Sequence, residues 1–340
     1  MFEIDVLGVG DKKNAESIGV RFSHPATGVP VHLLIDGGWQ QDGLAVVDHV
    51  EAFYDGRLDL VVCTHPDGDH IGGLGDVIRH CSVDRLWIHR PVLHGAPCKS
   101  GFEAAEELAQ LARASGAIVE EPFAGQSAFD GALLVCGPTE TYYRTCLQAQ
   151  LDETQREVNQ LSESVKALLE KSASWLDRQL DRLPIDIELP FSAGSSNARN
   201  NSSIILSLAA GQNRFLFTAD AGVPALTPAL DTLEASSHAQ VPLRMFKLPH
   251  HGARAYLDSD TIDRVLGAQV HPDGGCTLVS IAPEADGSRY PSGRISNRCL
   301  ARGYPVYQSP GKSMTLHGGG STRSPGTPLR PLPPLREEDE

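Results

Sequence analysis

Short alternating runs of apolar and polar residues open the chain. FEIDVLGV (2–9), SIGVRFS (17–23) and PVHLLIDGG (30–38) are rich in β-branched residues and are separated by Gly, Asn, Asp and Pro. They predict strands joined by turns. LAVVDHVEAFYDG (44–56) instead has a helical rhythm and a terminal glycine. LDLVVCTH (58–65) is almost continuously apolar, the pattern of a strand covered on both faces. GLGDVIRHCS (73–82) predicts a helix and RLWIHRP (85–91) a strand. FEAAEELAQLARASG (102–116) predicts an amphipathic helix stopped by glycine, with further strands at AIVEEPF (117–123) and ALLVCGP (132–138). The same rhythm returns later. NNSSIILSLAAGQNRFLFTAD (200–220) predicts a hairpin turning at Gly211-Gln212-Asn213, and VPLRMFKLPHHG (241–252) a strand ending in two histidines. CTLVSIAP (276–283) and YPVYQS (304–309) predict two late strands.

One stretch breaks the rhythm. Residues 142–183 contain no Gly or Pro. Leu151, Val158 and Val165 recur at seven, and Leu161, Leu168 and Trp175 do so with an offset of three. This is an a/d seam over about three heptads. Two readings stay open: a long helix packed on its own domain, or a face for a second copy or a partner protein. From Gly318 onward the chain is Gly, Ser, Pro and charge, expected to be disordered or loosely attached. Its RPLPPLR (330–336) has the form of a polyproline ligand, which low complexity alone explains.

Net charge is 29 basic minus 43 acidic residues, or −14, so the surface as a whole repels nucleic acid. Any such partner needs a local basic patch or a bound cation. Seven scattered cysteines without a CxxC pair, and no basic leader, are expected of a cytoplasmic protein with free thiols. No apolar stretch nears the ~20 residues of a membrane span. The GxG in LGVGDKK lacks a third glycine and a following helix, which argues against a dinucleotide fingerprint.

The densest chemistry lies in CTHPDGDHIGG (63–73). Pro66 and Gly68 make it a loop, and the apolar strand before it supplies a rigid base. Alternate residues near a strand end face the same way, so His65, Asp67 and Asp69 can converge. His70, next to Asp69, then points to a second centre. Gly68, Gly72 and Gly73 let the backbone pass close to ions. The arrangement predicts two metals a few ångströms apart.

HPDGDHIGG resembles the HxHxDH loop of the metallo-β-lactamase fold, with Asp67 in place of the middle histidine. In this HxDxDH form it is similar to the nuclease-like domain of ComEC, the DNA-uptake channel protein. LLIDGG (33–38) resembles that family's strand-and-Asp motif, and NNSSIIL (200–206) its Asn-rich segment. FLFTADAG (215–222), KLPHHGA (247–253) and RYPSGRISNRCLARGYPVYQS (289–309) resemble its remaining motifs in order. The resemblance covers residues 1–317, interrupted by a helical insertion at 142–190, and leaves 318–340 as tail. It implies a four-layer αβ/βα sandwich of two mixed sheets, with the site at one edge. His65 and Asp67 are then expected on the first metal, Asp69 and His70 on the second, and Asp220 between them. His250 is expected to complete the second site, with His251 as proton donor or support. The family's histidine for the first metal is absent, and Asn200 or Asn201 is the candidate to replace it. Ligands so rich in oxygen shift preference from Zn²⁺ towards Mn²⁺ or Mg²⁺. Asp36 is expected to orient the loop through hydrogen bonds. Lys247, Arg254, Arg289 and Arg294 are the candidate phosphate contacts. His89 and His94 either lie in a surface loop or touch substrate, and HPDGG (271–275) reads as a turn. Where the ComEC unit has a histidine near its last helix, this chain has Tyr290-Pro291-Ser292.

The function expected is metal-dependent hydrolysis of a phosphodiester, DNA or a nucleotide, by a dinuclear centre that turns a bridging water into hydroxide. Asp67 or Asp69 would accept the proton of the water, and His251 would protonate the leaving oxygen. The alternatives are an acyl hydrolase of the lactonase, lactamase or thioesterase kind, and a non-catalytic module acting through the long helix.

Overall fold

The early runs become β1 (Phe2–Val6), β2 (Ile18–Ser23) and β3 (Pro30–Ile35), an antiparallel meander in the computed structural model. The structure describes residues 1–97, 102–159, 196–267, 275–282, 290–321 and 328–335. After α1 (Gly43–Tyr54) the strands turn parallel. β4 (Arg57–Leu58) and β5 (Leu60–Cys63) are followed by α2 (Gly68–Ile71), α3 (Leu74–His80), β6 (Ser82–Val83), β7 (Arg85–Ile88), α4 (Glu103–Ala114) and β8 (Ile118–Glu120). The second half repeats this grammar. β9 (Ser127–Ala128) and β10 (Leu133–Gly137) precede α5 (Glu140–Asn159), and β11 (Ile205–Ala210) and β12 (Asn213–Phe217) form a hairpin. Parallel crossovers then run through α6 (Val223–Glu234), β13 (Leu243–Lys247), α7 (Ser259–Leu266), β14 (Cys276–Ile281), α8 (Gly293–Ala301) and β15 (Val306–Pro310), before β16 (Met314–Gly318).

Among the described residues two seven-stranded mixed sheets result, ordered β16-β1-β2-β3-β5-β7-β8 and β15-β14-β13-β12-β11-β10-β9; β4 and β6 pair separately. β5 shows why its sequence has no polar position. Leu60 and Val62 enter the core between the sheets, with Phe2, Trp87 and Phe215. Val61 and Cys63 face a second core shared with residues of α1, α3 and α4. β12 is built likewise: Phe215 and Phe217 point between the sheets, while Leu216 meets residues of α6, α7 and α8. Layers of helix, sheet, sheet and helix follow, the architecture of a metallo-β-lactamase fold.

Several details differ from the sequence expectation. Asn213 already pairs with Ala210, so the hairpin turn shortens to Gly211-Gln212, with Gly211 left-handed (φ 62°). α6 escaped the pattern because Pro224 and Pro228 interrupt it; the first sits in the opening turn, where its missing N–H costs nothing. β16 also went unread, and it closes the first sheet by pairing Phe2 with Gly318. Within the Pro-rich tail, Leu332 donates its N–H to Val306 O (2.8 Å), and Leu335 N–H donates to Asn297 Oδ1 (3.1 Å). In the predicted seam, Leu151 packs with Ala96, Phe102, Tyr143 and Leu147. The side chains of Val158, Leu161, Val165, Leu168 and Trp175, like residues 271–274, lie outside what is described. Among the described residues, no helix is long and apolar enough to cross a membrane.

Candidate metal centre

The centre gathers where β5, β12 and β13 end along one edge of the facing sheets. The loop after β5 lies hard against the turn after β3. A Cβ on Gly73 would sit 2.1 Å from Gly37 O, so only glycine fits there. That turn places Asp36 in the left-handed region (φ 58°) and buries it completely. Its carboxylate accepts Thr64 N–H (2.8 Å) and Thr64 Oγ1–H (2.7 Å). It also faces His70 Nδ1 at 2.7 Å. The Thr64 hydroxyl in turn lies 3.0 Å from His65 Nδ1. Its proton goes to Asp36, so the imidazole supplies the N–H. One carboxylate therefore sets two rings: each uses Nδ1 inward and leaves Nε2 outward. Both Nε2 atoms are buried and, among the described residues, have no hydrogen-bond partner.

Asp220 faces them from the second sheet, three residues past β12. Its Oδ1 lies 3.5 Å from His70 Nε2 and its Oδ2 3.8 Å from His65 Nε2. Ligand atoms of His65, His70 and Asp220 all lie within 4.8 Å of one another. Two further carboxylates flank the rings. Asp67 Oδ2 is 3.7 Å from His65 Nε2, and Asp69 Oδ2 is 3.8 Å from His70 Nε2. Unpartnered buried lone pairs beside carboxylates are costly without a cation and are suited to one, so these residues fit divalent metal. Burial pushes the His65 imidazole down to about 4, which keeps its lone pair open. Burial also depresses His70, but Asp220 and Asp36 outweigh it and hold the ring well above the usual range. A proton on His70 occupies the lone pair a cation would take, so binding would release it. Burial would raise Asp220, yet His250 and His70 bring it well below the ordinary carboxylate range. Asp69 is raised, mainly by burial.

The two closing histidines differ in wiring. Both, with Gly252, are left-handed (φ 43°, 58° and 77°). His250 Nδ1 is 2.6 Å from Asp220 Oδ2, and the ring stacks on Tyr256 at 4.2 Å. Its side chain is 26% exposed. His251 is buried, donates Nδ1–H to Ser280 O (2.8 Å), and leaves Nε2 buried without a partner among the described residues. That is the arrangement of His65 and His70.

The other expectations sort by contact. Asn201 Oδ1 is spent on Gly222 N–H (3.0 Å) and the Ser196 hydroxyl (2.9 Å). Asn200 gives its amide to Tyr256 Oη (2.8 Å) and keeps a buried, unpartnered Oδ1. Of the two amide oxygens, that of Asn200 is the uncommitted one among the described residues, and the Asn200 amide nitrogen lies 3.2 Å from His250 Nδ1. Lys247 does not reach a substrate phosphate: it is fully buried and donates to Glu16. Arg254 and Arg294 are half-buried, and Arg289 lies outside the described residues. His89 is buried rather than in a surface loop; it donates to Pro122 O (2.6 Å) between Phe123 and Tyr143 and lines a small cavity with His65 and Pro66. His94 pairs with Glu121 (3.1 Å) beside the same aromatic rings. Where a histidine was missing, Pro291 packs on Gly252 and Ser292 N–H donates to Gly252 O (2.9 Å). Thr64, Glu16 and Arg199 were not foreseen. Arg199 immediately precedes the Asn pair, but nothing in its spacing marks it.

Residues 32–143 match the family model of the Metallo-beta-lactamase superfamily. The matched span runs from β3 into α5 and contains His65, Asp67, Asp69 and His70, whereas Asp220 and the closing histidines lie beyond it. No curated protein matches the chain significantly. Among solved structures it is similar to the Rm3 metallo-beta-lactamase at 10% identity and a TM-score of 0.36, over 88% of this chain and 90% of that one. It is similar to a mutant of the CmlA beta-hydroxylase at 15% identity and 0.41, over 93% of this chain and 53% of that one. The SMB-1 metallo-beta-lactamase bound to 2-mercaptoethanesulfonate follows at 10% identity and 0.35, over 87% and 92%.

Proposed function

We propose that this chain is a metal-dependent hydrolase of phosphodiesters. The observation that carries the reading is the set of buried, unpartnered ligand atoms on His65, His70 and Asp220, whose other polar atoms are largely committed. His65 with Asp67, and His70 with Asp69, would each hold one divalent ion, and Asp220 would face both. His251, wired like the other two imidazoles, would close the second centre. This reverses the order expected from the spacing to Gly252. When bound, such ions supply Lewis acidity at phosphoryl oxygens and lower the pKa of water.

The side chains supply the rest. Asp36 fixes which nitrogen of His65 and of His70 faces the centre. A carboxylate oxygen of Asp67 or Asp69 accepts the proton of the attacking water. His250 is raised against the pull of burial by the neighbouring Asp220, and its ring reaches solvent. As the partly exposed imidazole beside Asp220, it is the group assigned to protonate the leaving oxygen. The donor set supports phosphate over an acyl carbon. Three aspartates and the Asn200 amide outnumber the imidazoles, and such hard donors favour ions that suit phosphate oxygens. With a net charge of −14, a small phosphodiester, or DNA delivered by a partner, fits better than unaided DNA binding.

The test is turnover by protein loaded with Mn²⁺, on bis-p-nitrophenyl phosphate and, in parallel, on a β-lactam and a thioester. Phosphodiester cleavage that disappears in Asp220→Asn supports the reading. Turnover of the acyl substrates alone overturns it.

A further inference from the structure

We infer that Arg199 selects an anionic substrate by gripping a non-bridging oxygen at the mouth of the centre. This rests on the phosphodiester reading and names the side chain that would enforce it. The neighbourhood is acidic: Asp36, Asp67, Asp69 and Asp220 all lie at the centre. Lys247 cannot offset them for a ligand, because Glu16 consumes it. Arg199 is different. Its Nη1 donates to Asp67 Oδ1 (3.1 Å), and its side chain is 35% exposed. A guanidinium carries five N–H donors. Among the described residues Asp67 is the one hydrogen-bond partner of the Arg199 side chain.

The arm is held at its root and along its plane. The Arg199 carbonyl accepts the Ser202 hydroxyl (2.6 Å) and Ser202 N–H (3.1 Å). The guanidinium carbon lies 5.9 Å from the centroid of the Phe102 ring, a contact that orients the plane of the fork. The partner of the arm is itself a candidate ligand. Once Asp67 shares its charge with a cation, its hold on Arg199 weakens. The fork is then free to turn to an incoming phosphate while staying next to the reacting atoms. A planar fork matches two phosphate oxygens, which an ammonium does not.

Arg199→Ala and Arg199→Lys test this in the Mn²⁺-loaded protein. For Arg199→Ala the expected result is a KM for bis-p-nitrophenyl phosphate raised about tenfold or more with kcat changed less than about threefold, the mark of a lost binding contact. Manganese content by elemental analysis should stay at the wild-type value, and Arg199→Lys should recover part of the KM. Unchanged KM overturns the inference. So does a loss of manganese that parallels the loss of activity, because Arg199 would then only prop Asp67. If the wild type cleaves no phosphodiester, the functional reading fails, and calorimetric binding of inorganic phosphate still decides on Arg199. Weakening of about tenfold in Arg199→Ala keeps it as an anion contact; equal affinity removes it.

Discussion

Lys247, the last residue of β13, donates its ammonium to the carboxylate of Glu16, 231 positions earlier in the chain, and both side chains are buried. Burial pushes the Glu16 carboxyl up, and Lys247 pulls it back. The backbone of Glu16 is tied as well: its N–H donates to Asp69 O (3.0 Å) and its carbonyl accepts Gly38 N–H (2.9 Å). The pair thus fastens the strand that delivers the closing histidines to the loop that delivers Asp69. Lys247→Met leaves a buried carboxylate unpaired and should cost about 3–5 kcal/mol of stability. Adding Glu16→Gln should restore most of it. Urea unfolding of the two variants checks this, and a double variant no more stable than the single one would refute the pairing argument.

The closing histidines should separate by metal content. His251→Ala removes an open, buried Nε2 and should lower bound manganese by about one ion per chain, in line with a lost ligand. His250→Ala should keep the ions and lose kcat by about a hundredfold or more, as for a removed proton donor. Elemental analysis beside kinetics reads both, and the opposite pattern would return the ligand role to His250.

Asp67→His recreates the commoner HxHxDH loop. Imidazole is softer than carboxylate and uncharged, so the first site should move from Mn²⁺ towards Zn²⁺. The ratio of kcat/KM with Mn²⁺ to that with Zn²⁺ should fall by about tenfold relative to wild type, given the usual spread of ligand preference. An unchanged ratio would mean that Asp67 does not coordinate.

Acid should find a weak point away from the centre. Asp263 in α7 accepts from Arg298 (2.5 and 3.0 Å) and Arg302 (2.9 and 3.2 Å). Burial would raise its carboxyl, yet the two guanidiniums hold it below the ordinary value of 3.8. A depressed folded pKa gives stability that is full above that value and is lost as pH falls through the lower, folded one. Asp263→Asn should therefore cost about 1–3 kcal/mol at pH 7, with the gap to wild type closing as pH falls below the ordinary carboxylate value of 3.8. Thermal unfolding across pH shows it; a gap that stays constant down to pH 2 would contradict the assignment.

The sequence carried the sheets and the ligand loop because both rest on local rules. LVVC in β5 has no polar position since each face meets a core, and HPDGDH is dense because a loop must aim several donors from one strand end. What stayed hidden depends on distant partners. Nothing near Lys247 says that Glu16 will bury it, so it read as a surface cation. Asn200 and Asn201 are adjacent and identical; only Gly222 and Ser196, brought beside Asn201 by the fold, tell them apart. α6 was masked by its own prolines, and β16 by the glycines that follow it.

The candidate donors arrive from two different sheets: His65, Asp67, Asp69 and His70 from the first, Asp220 and the proposed His251 from the second. A cation shared between Asp220 and either imidazole would therefore be a rivet across the sandwich. Loading and cohesion become one equilibrium. Free metal at a hundred times its Kd adds about 2.7 kcal/mol to folding stability, and a chelator withdraws the same amount. A partner that prised the sheet edges apart would empty such a site without touching a ligand, and a chain starved of metal would lose that hold between the sheets.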